Sequence, residues 1–139
     1  MSGPIIFVED DEDDLFIFEE ICGRLNLPNK LLFFQRGEAM LNYLRHTTEQ
    51  PFIIFCDINM PEMDGLQLRE RLNDEEQLRR KSIPFVFFST AATRQQVKRA
   101  YELTVQGFFI KETNFTEAQA NFKMILDYWA KCKHPNTMK

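Results

Sequence analysis

The stretch IIFVEDDEDDLF, Ile5 to Phe16, runs four apolar residues into six consecutive acids, Glu9 to Asp14, before apolar character returns at Leu15. A short unbroken apolar run reads as a strand buried on both faces. The acids then stand at its carboxyl end, where Glu12, Asp13 and Asp14 suit the first turn of a following helix through its dipole. A strand that passes through charge into a helix is the start of a βα unit.

The same unit recurs along the chain. Apolar runs IIFV (5–8), KLLFF (30–34), FIIFC (52–56), FVFF (85–88) and GFFI (107–110) alternate with helical spacing over 13–26, 37–46, 65–73, 93–103 and 115–131. The first helix has Leu15, Phe18, Cys22 and Leu25 on one face; the last has Phe115, Ala118, Phe122, Ile125, Leu126 and Trp129. Thr93 with Gln96 and Thr116 with Gln119 have capping-box spacing, and Pro28, Pro51 and Pro84 fall between elements. Residues 74–83 read as a charged, solvated loop, and 132–139 as a tail. Regular alternation predicts an α/β fold: a flavodoxin-like (βα)5 doubly wound parallel sheet of strand order 2-1-3-4-5.

That order makes strands one and three neighbours and brings Glu9, Asp10 and Asp57 into one crevice at the carboxyl ends of the strands, roughly 4.8 Å being the inter-strand spacing. Two unit charges about 4 Å apart cost about 4 kcal/mol at an effective dielectric near 20, so the cluster calls for a cation. Oxygen ligands without His or Cys suit Mg²⁺. Ser89 and Thr90 end the fourth strand and Lys111 the fifth, on the same side. Cation, hydroxyl, lysine and aspartate together fit phosphoryl transfer, with Asp57 as nucleophile forming an aspartyl phosphate.

Composition narrows the classes further. The chain has 139 residues, a net charge of −4 and a 44% hydrophobic fraction, which fits one globular domain and argues against a nucleic-acid-binding surface. It contains no apolar stretch of membrane-spanning length and no signal-peptide pattern, so a cytoplasmic location is expected. Cys22, Cys56 and Cys132 lack metal-ligand spacing and read as reduced thiols.

The segment CDINMPEMDG, 56–65, resembles the phosphoacceptor loop of two-component response regulator receiver domains; FVEDD resembles their acidic pair, PFVFFSTA their fourth strand and GFFIK their fifth. The resemblance covers residues 5 to about 130, and the receiver domain is expected over 1–131. It implies that Asp57 accepts phosphate from a sensor histidine kinase, with Mg²⁺ held by Glu9, Asp10, Asp57 and the backbone carbonyl of Asn59. It further implies that Ser89 is the switch hydroxyl, that Lys111 contacts the phosphoryl group, and that Phe108 is the switch aromatic. Pro61 restricts the loop and Gly65 permits the turn into the third helix.

The family usually has proline after the lysine, in a cis bond, where this chain has Glu112. A non-proline cis bond costs roughly 2.5–4 kcal/mol, so either strain is tolerated or the loop is rearranged. The chain resembles a stand-alone receiver with no output domain, similar to regulators paired with phytochrome-type kinases. Partners implied are a sensor histidine kinase or a histidine phosphotransfer protein, and a homodimer through the face of the fourth helix, fifth strand and fifth helix. Thr90, Tyr101, Phe108, Phe109, Tyr128 and Trp129 are candidates on that face. A degenerate receiver binding its partner without phosphorylation is the alternative. An aspartyl-nucleophile phosphatase, which carries a second aspartate two residues on, is disfavoured by Asn59.

Overall fold

A computed structural model describes residues 3–133. Its elements are β1 (Ile5–Val8), α1 (Glu12–Arg24), β2 (Leu31–Phe34), α2 (Gly37–His46), β3 (Ile53–Cys56), α3 (Gly65–Asp74), α4 (Glu76–Arg79), β4 (Phe85–Ser89), α5 (Arg94–Glu102), β5 (Gly107–Ile110) and α6 (Phe115–Lys131). The five strands are parallel in the order 2-1-3-4-5. The expected flavodoxin-like sheet is therefore the one observed.

Alternation along each strand divides the core. Ile6, Val8, Ile54, Cys56, Phe85 and Phe87 face α2, α3 and α5 through Met40, Leu41, Leu44, Leu68 and Ala100. On the other side, Ile5, Phe7, Ile53, Phe55, Val86 and Phe88 meet α1 and α6 through Phe18, Ile21, Phe122 and Ile125. Phenylalanines dominate that second layer: the Phe122 ring stacks on Phe88 at 4.6 Å and lies edge-on to Phe55 at 4.9 Å. Burial on both faces explains why the central runs carry no polar alternation.

Two expectations need correction. Residues 74–83 are not simply a loop, because Glu76–Arg79 forms α4 and buries Leu78. One turn with a single apolar anchor is too short to show periodicity. Thr116 is not the cap of the last helix; Asn114 caps α6, accepting from the Glu117 amide. The Thr93–Gln96 capping box is present, and Asp64 with Gln67 forms another at the start of α3. Of the expected tail 132–139, residues 134–139 lie outside the described residues. Among the described residues, no helix is long and apolar enough to cross a membrane.

Candidate phosphoacceptor crevice

The sheet's own hydrogen bonds carry each candidate past the end of its strand. The Glu9 amide donates to the Phe34 carbonyl at 2.9 Å, the Asp57 amide to Val8 at 3.0 Å, and the Lys111 amide to Ser89 at 2.8 Å. Glu9, Asp57, Ser89 and Lys111 thus sit in register at one edge. Oxygens of Glu9, Asp10 and Asp57 lie within 4.8 Å of one another. Glu9 and Asp57 are buried and Asp10 is half-buried.

Lys111 is the cation among them. Its Nζ donates to Glu9 Oε1 at 2.5 Å and to Asp14 Oδ2 at 2.7 Å, and lies 3.6 Å from Asp57 Oδ2. Burial opposes its charge, but Asp14 and Glu9 outweigh that and hold its pKa above the ordinary lysine value. Burial pushes the Glu9 carboxyl up to about 8; Lys111 pulls it down and the charge of Asp57 adds to the rise. One ammonium does not neutralise this many acids in so little solvent, which favours the protonated form of Glu9 in the metal-free crevice.

Asp14 is the residue the sequence reading missed here. Its place in the first turn of α1 suggested only a dipole contribution, and Asp11 supplies the actual cap, accepting from the Asp13 and Asp14 amides. Asp10 lies ahead of the helix and its cap, so no helical spacing in the sequence marked Asp14 as facing the crevice.

The loop after β3 is shaped by close packing. The Ile58 amide donates to Asp57 Oδ1 at 2.8 Å, which fixes the carboxylate. Gly65 donates its amide to the Ile58 carbonyl, and a Cβ on it would stand 2.3 Å from the Asp57 carbonyl oxygen and 2.8 Å from the Phe87 ring. Its role is therefore close approach, since its φ is not positive. The left-handed residue in this loop is Glu62, at φ 69°.

The remaining candidates divide. Ser89 is fully buried, and its Oγ donates to the Ala91 carbonyl at 2.7 Å while Asn59 Nδ2 reaches it at 3.4 Å. Asn59 is exposed beside the crevice, and Thr90 is exposed and outside the cluster. Phe108 is half-buried against the α2/α3/α5 side, 5.7 Å from the Phe87 ring, and Phe109 stacks on Phe88 at 5.3 Å on the opposite side. No cis peptide bond occurs among the described residues, so Lys111 reaches the acids through a trans bond to Glu112. The strained cis alternative is therefore not the one observed.

The three carboxylates form an all-oxygen donor set already holding one cationic group, which fits a hard divalent ion. Glu9, Asp10 and Asp57 are the residues available to it.

The family described as the response regulator receiver domain matches residues 5–123. The chain is 27% identical over 129 residues to the probable methanogenesis regulatory protein FilR2 of Methanothrix harundinacea, covering 90% of this chain and 82% of that one. It is 25% identical over 130 residues to response regulator Rcp1 of Synechocystis, covering 90% and 87%. Among solved structures, the phosphorylated cyanobacterial phytochrome response regulator RcpA is similar with a TM-score of 0.86 at 24% identity, covering 97% of this chain and 99% of that one. The Mn²⁺-bound form of Rcp1 gives 0.80 at 22% identity, covering 95% and 97%. With the strand order, the carboxylate cluster and this match over most of its length, the chain belongs to the response regulator receiver domain family.

Proposed function

We propose that this protein is a cytoplasmic phosphorelay switch that accepts a phosphoryl group on Asp57 from a histidine kinase or histidine phosphotransfer protein and thereby changes its protein-binding surface. The observation that carries the reading is the convergence of Glu9, Asp10 and Asp57 within 4.8 Å, with Lys111 Nζ 3.6 Å from the Asp57 carboxylate. An Asp57 oxygen attacks the phosphorus of a phosphohistidine; the phosphorus–nitrogen bond breaks, its electron pair stays on the imidazole, and an acyl phosphate forms. Mg²⁺, when bound, would supply positive charge to the phosphoryl oxygens, and the existence of a Mn²⁺-bound form of the similar Rcp1 supports a divalent ion here. Glu9, Asp10, Asp57 and the Asn59 carbonyl would hold it.

Lys111 exchanges Glu9 for a phosphoryl oxygen once Glu9 is engaged elsewhere. Ser89 gives up its bond to Ala91 to donate to the phosphoryl group, and Phe108 follows it inward. The phosphoryl state shifts the population because these two contacts exist only there. The face read out is α5, β5 and α6, where Tyr101 and Tyr128 are exposed and Phe108, Phe109 and Trp129 are half-buried. A second copy of the chain or a target protein docks there.

Transfer from a phosphorylated histidine domain tests the reading. Label should move to the wild-type chain and not to Asp57→Asn, while Ser89→Ala should accept label without the change in hydrogen exchange over α5 and β5. Transfer to Asp57→Asn at the wild-type rate would refute the assignment.

A further inference from the structure

The opposite end of the sheet holds a cavity that the phosphorelay reading does not use. It opens at the amino ends of β4 and β5, has a volume of about 570 Å³, and is bordered by Arg69, Asn73, Arg79, Pro84, Thr104 and Trp129. That volume lies in the ordinary range for small-molecule sites. Among the described residues no carboxylate lines it, in a chain with 21 acids and 17 lysines and arginines.

Arg69 is 93% buried, being 7% exposed, yet bonds only neutral acceptors. Nε donates to the Leu103 carbonyl at 3.1 Å, and Nη2 to the Thr104 carbonyl at 3.1 Å and the Thr104 hydroxyl at 3.4 Å. Its guanidinium also lies 5.1 Å from the Phe85 ring centroid. The carbonyls are the C-terminal end of α5, which offers roughly half a negative charge. Burial depresses the Arg69 pKa to about 10, the sign of a charge left partly unbalanced.

The neighbouring groups add to that imbalance. Arg79 donates to the Asn73 carbonyl at 2.9 Å and forms no ion pair among the described residues. Thr104 adopts φ 63°, an unfavourable left-handed conformation for a β-branched residue, and in that conformation both its oxygens meet Arg69. Trp129 contributes a half-buried indole wall.

We propose that this basal cavity binds a small phosphate monoester carried on a flat ring, the chemistry of a nucleoside monophosphate, with Arg69 and Arg79 meeting the phosphate and Trp129 the ring. Arginine is the side chain whose planar donors match phosphate oxygens, and an indole face suits a planar base. A parallel sheet of this type normally takes ligands at its carboxyl ends, so the site follows from these side chains and not from the fold.

Trp129 is the chain's one tryptophan, so its fluorescence reports on this cavity. Fluorescence and melting temperature should be followed while the full chain is titrated with guanosine monophosphate, inorganic phosphate and guanosine. The nucleotide should give a saturable change with Kd below about 1 mM, and inorganic phosphate should compete with it. Arg79→Gln, an exposed position, should weaken the nucleotide at least about fivefold, and Asp57→Asn should leave it unchanged. The proposal is overturned if neither readout saturates by about 10 mM, if guanosine binds as well as the nucleotide, if Arg79→Gln binds equally, or if Asp57→Asn abolishes the signal.

Discussion

The two ends of the sheet manage charge in opposite ways. At the carboxyl ends, Glu9, Asp14 and Asp57 surround one lysine. At the amino ends, Arg69 is buried against carbonyls and, among the described residues, no acid lines the cavity beside it. The strands between are apolar on both faces. A parallel sheet sends all its carboxyl ends one way, so short acidic endings on separate strands accumulate at one pole, and the excess negative charge must be met by something that arrives from outside. The other pole is free to carry the opposite sign. The segregation is a property of topology, and it makes each pole testable alone.

The largest disturbance should come from packing beneath the acidic pole. Gly65→Ala places a methyl group against the Asp57 backbone and should cost about 3 kcal/mol, the upper range for overpacking, seen as a lowered urea midpoint. Gly23→Ala in α1, where a Cβ meets nothing within 4 Å, should stabilise by about 0.5–1 kcal/mol. Equal responses at the two glycines would show that Gly65 is not under close approach.

Lys111→Met removes the cation and leaves its acids uncompensated. Without metal it should lose about 3 kcal/mol, and millimolar Mg²⁺ should restore more of the melting temperature in the variant than in the wild type. A metal-insensitive variant would break the account of a cation-requiring pole. Arg69→Met, at the other pole, should cost about 2 kcal/mol by orphaning the α5 carbonyls, with no effect on the Mg²⁺ response.

A further effect is in pH. Burial raises Glu9 from 4.5 to about 8, so between these values the folded chain holds a proton that the unfolded chain releases. Metal-free stability should therefore fall as pH rises from 4.5 towards 8. Mg²⁺ binding must expel that proton, so metal affinity should climb through the same window. Calorimetry at pH 6 and 8 in two buffers of different ionisation enthalpy measures the proton released; no release at pH 6 would remove Glu9 from the ligand set.

Strand positions were legible because five runs of apolar residues between breakers admit few alternatives, and β1 and β5 lie where the pattern put them. The convergence of Glu9, Asp10 and Asp57 followed from strand order alone. What local pattern could not show was pairing across long separations: Lys111 with Asp14 is 97 residues apart, and Arg69 with Leu103 is 34 apart. Arg69 stands in a charged helix as an ordinary surface arginine until the α5 terminus folds over it. Likewise, Thr116 has the cap spacing, but Asn114 takes the position because the helix begins at Phe115.

Intact-protein mass after incubation with a small phosphodonor such as acetyl phosphate decides whether Asp57 is a metal-dependent phosphoacceptor. One phosphoryl adduct is expected, requiring Mg²⁺ and disappearing in Asp57→Asn. An adduct that forms without divalent metal, or that persists in Asp57→Asn, would contradict that role for Asp57.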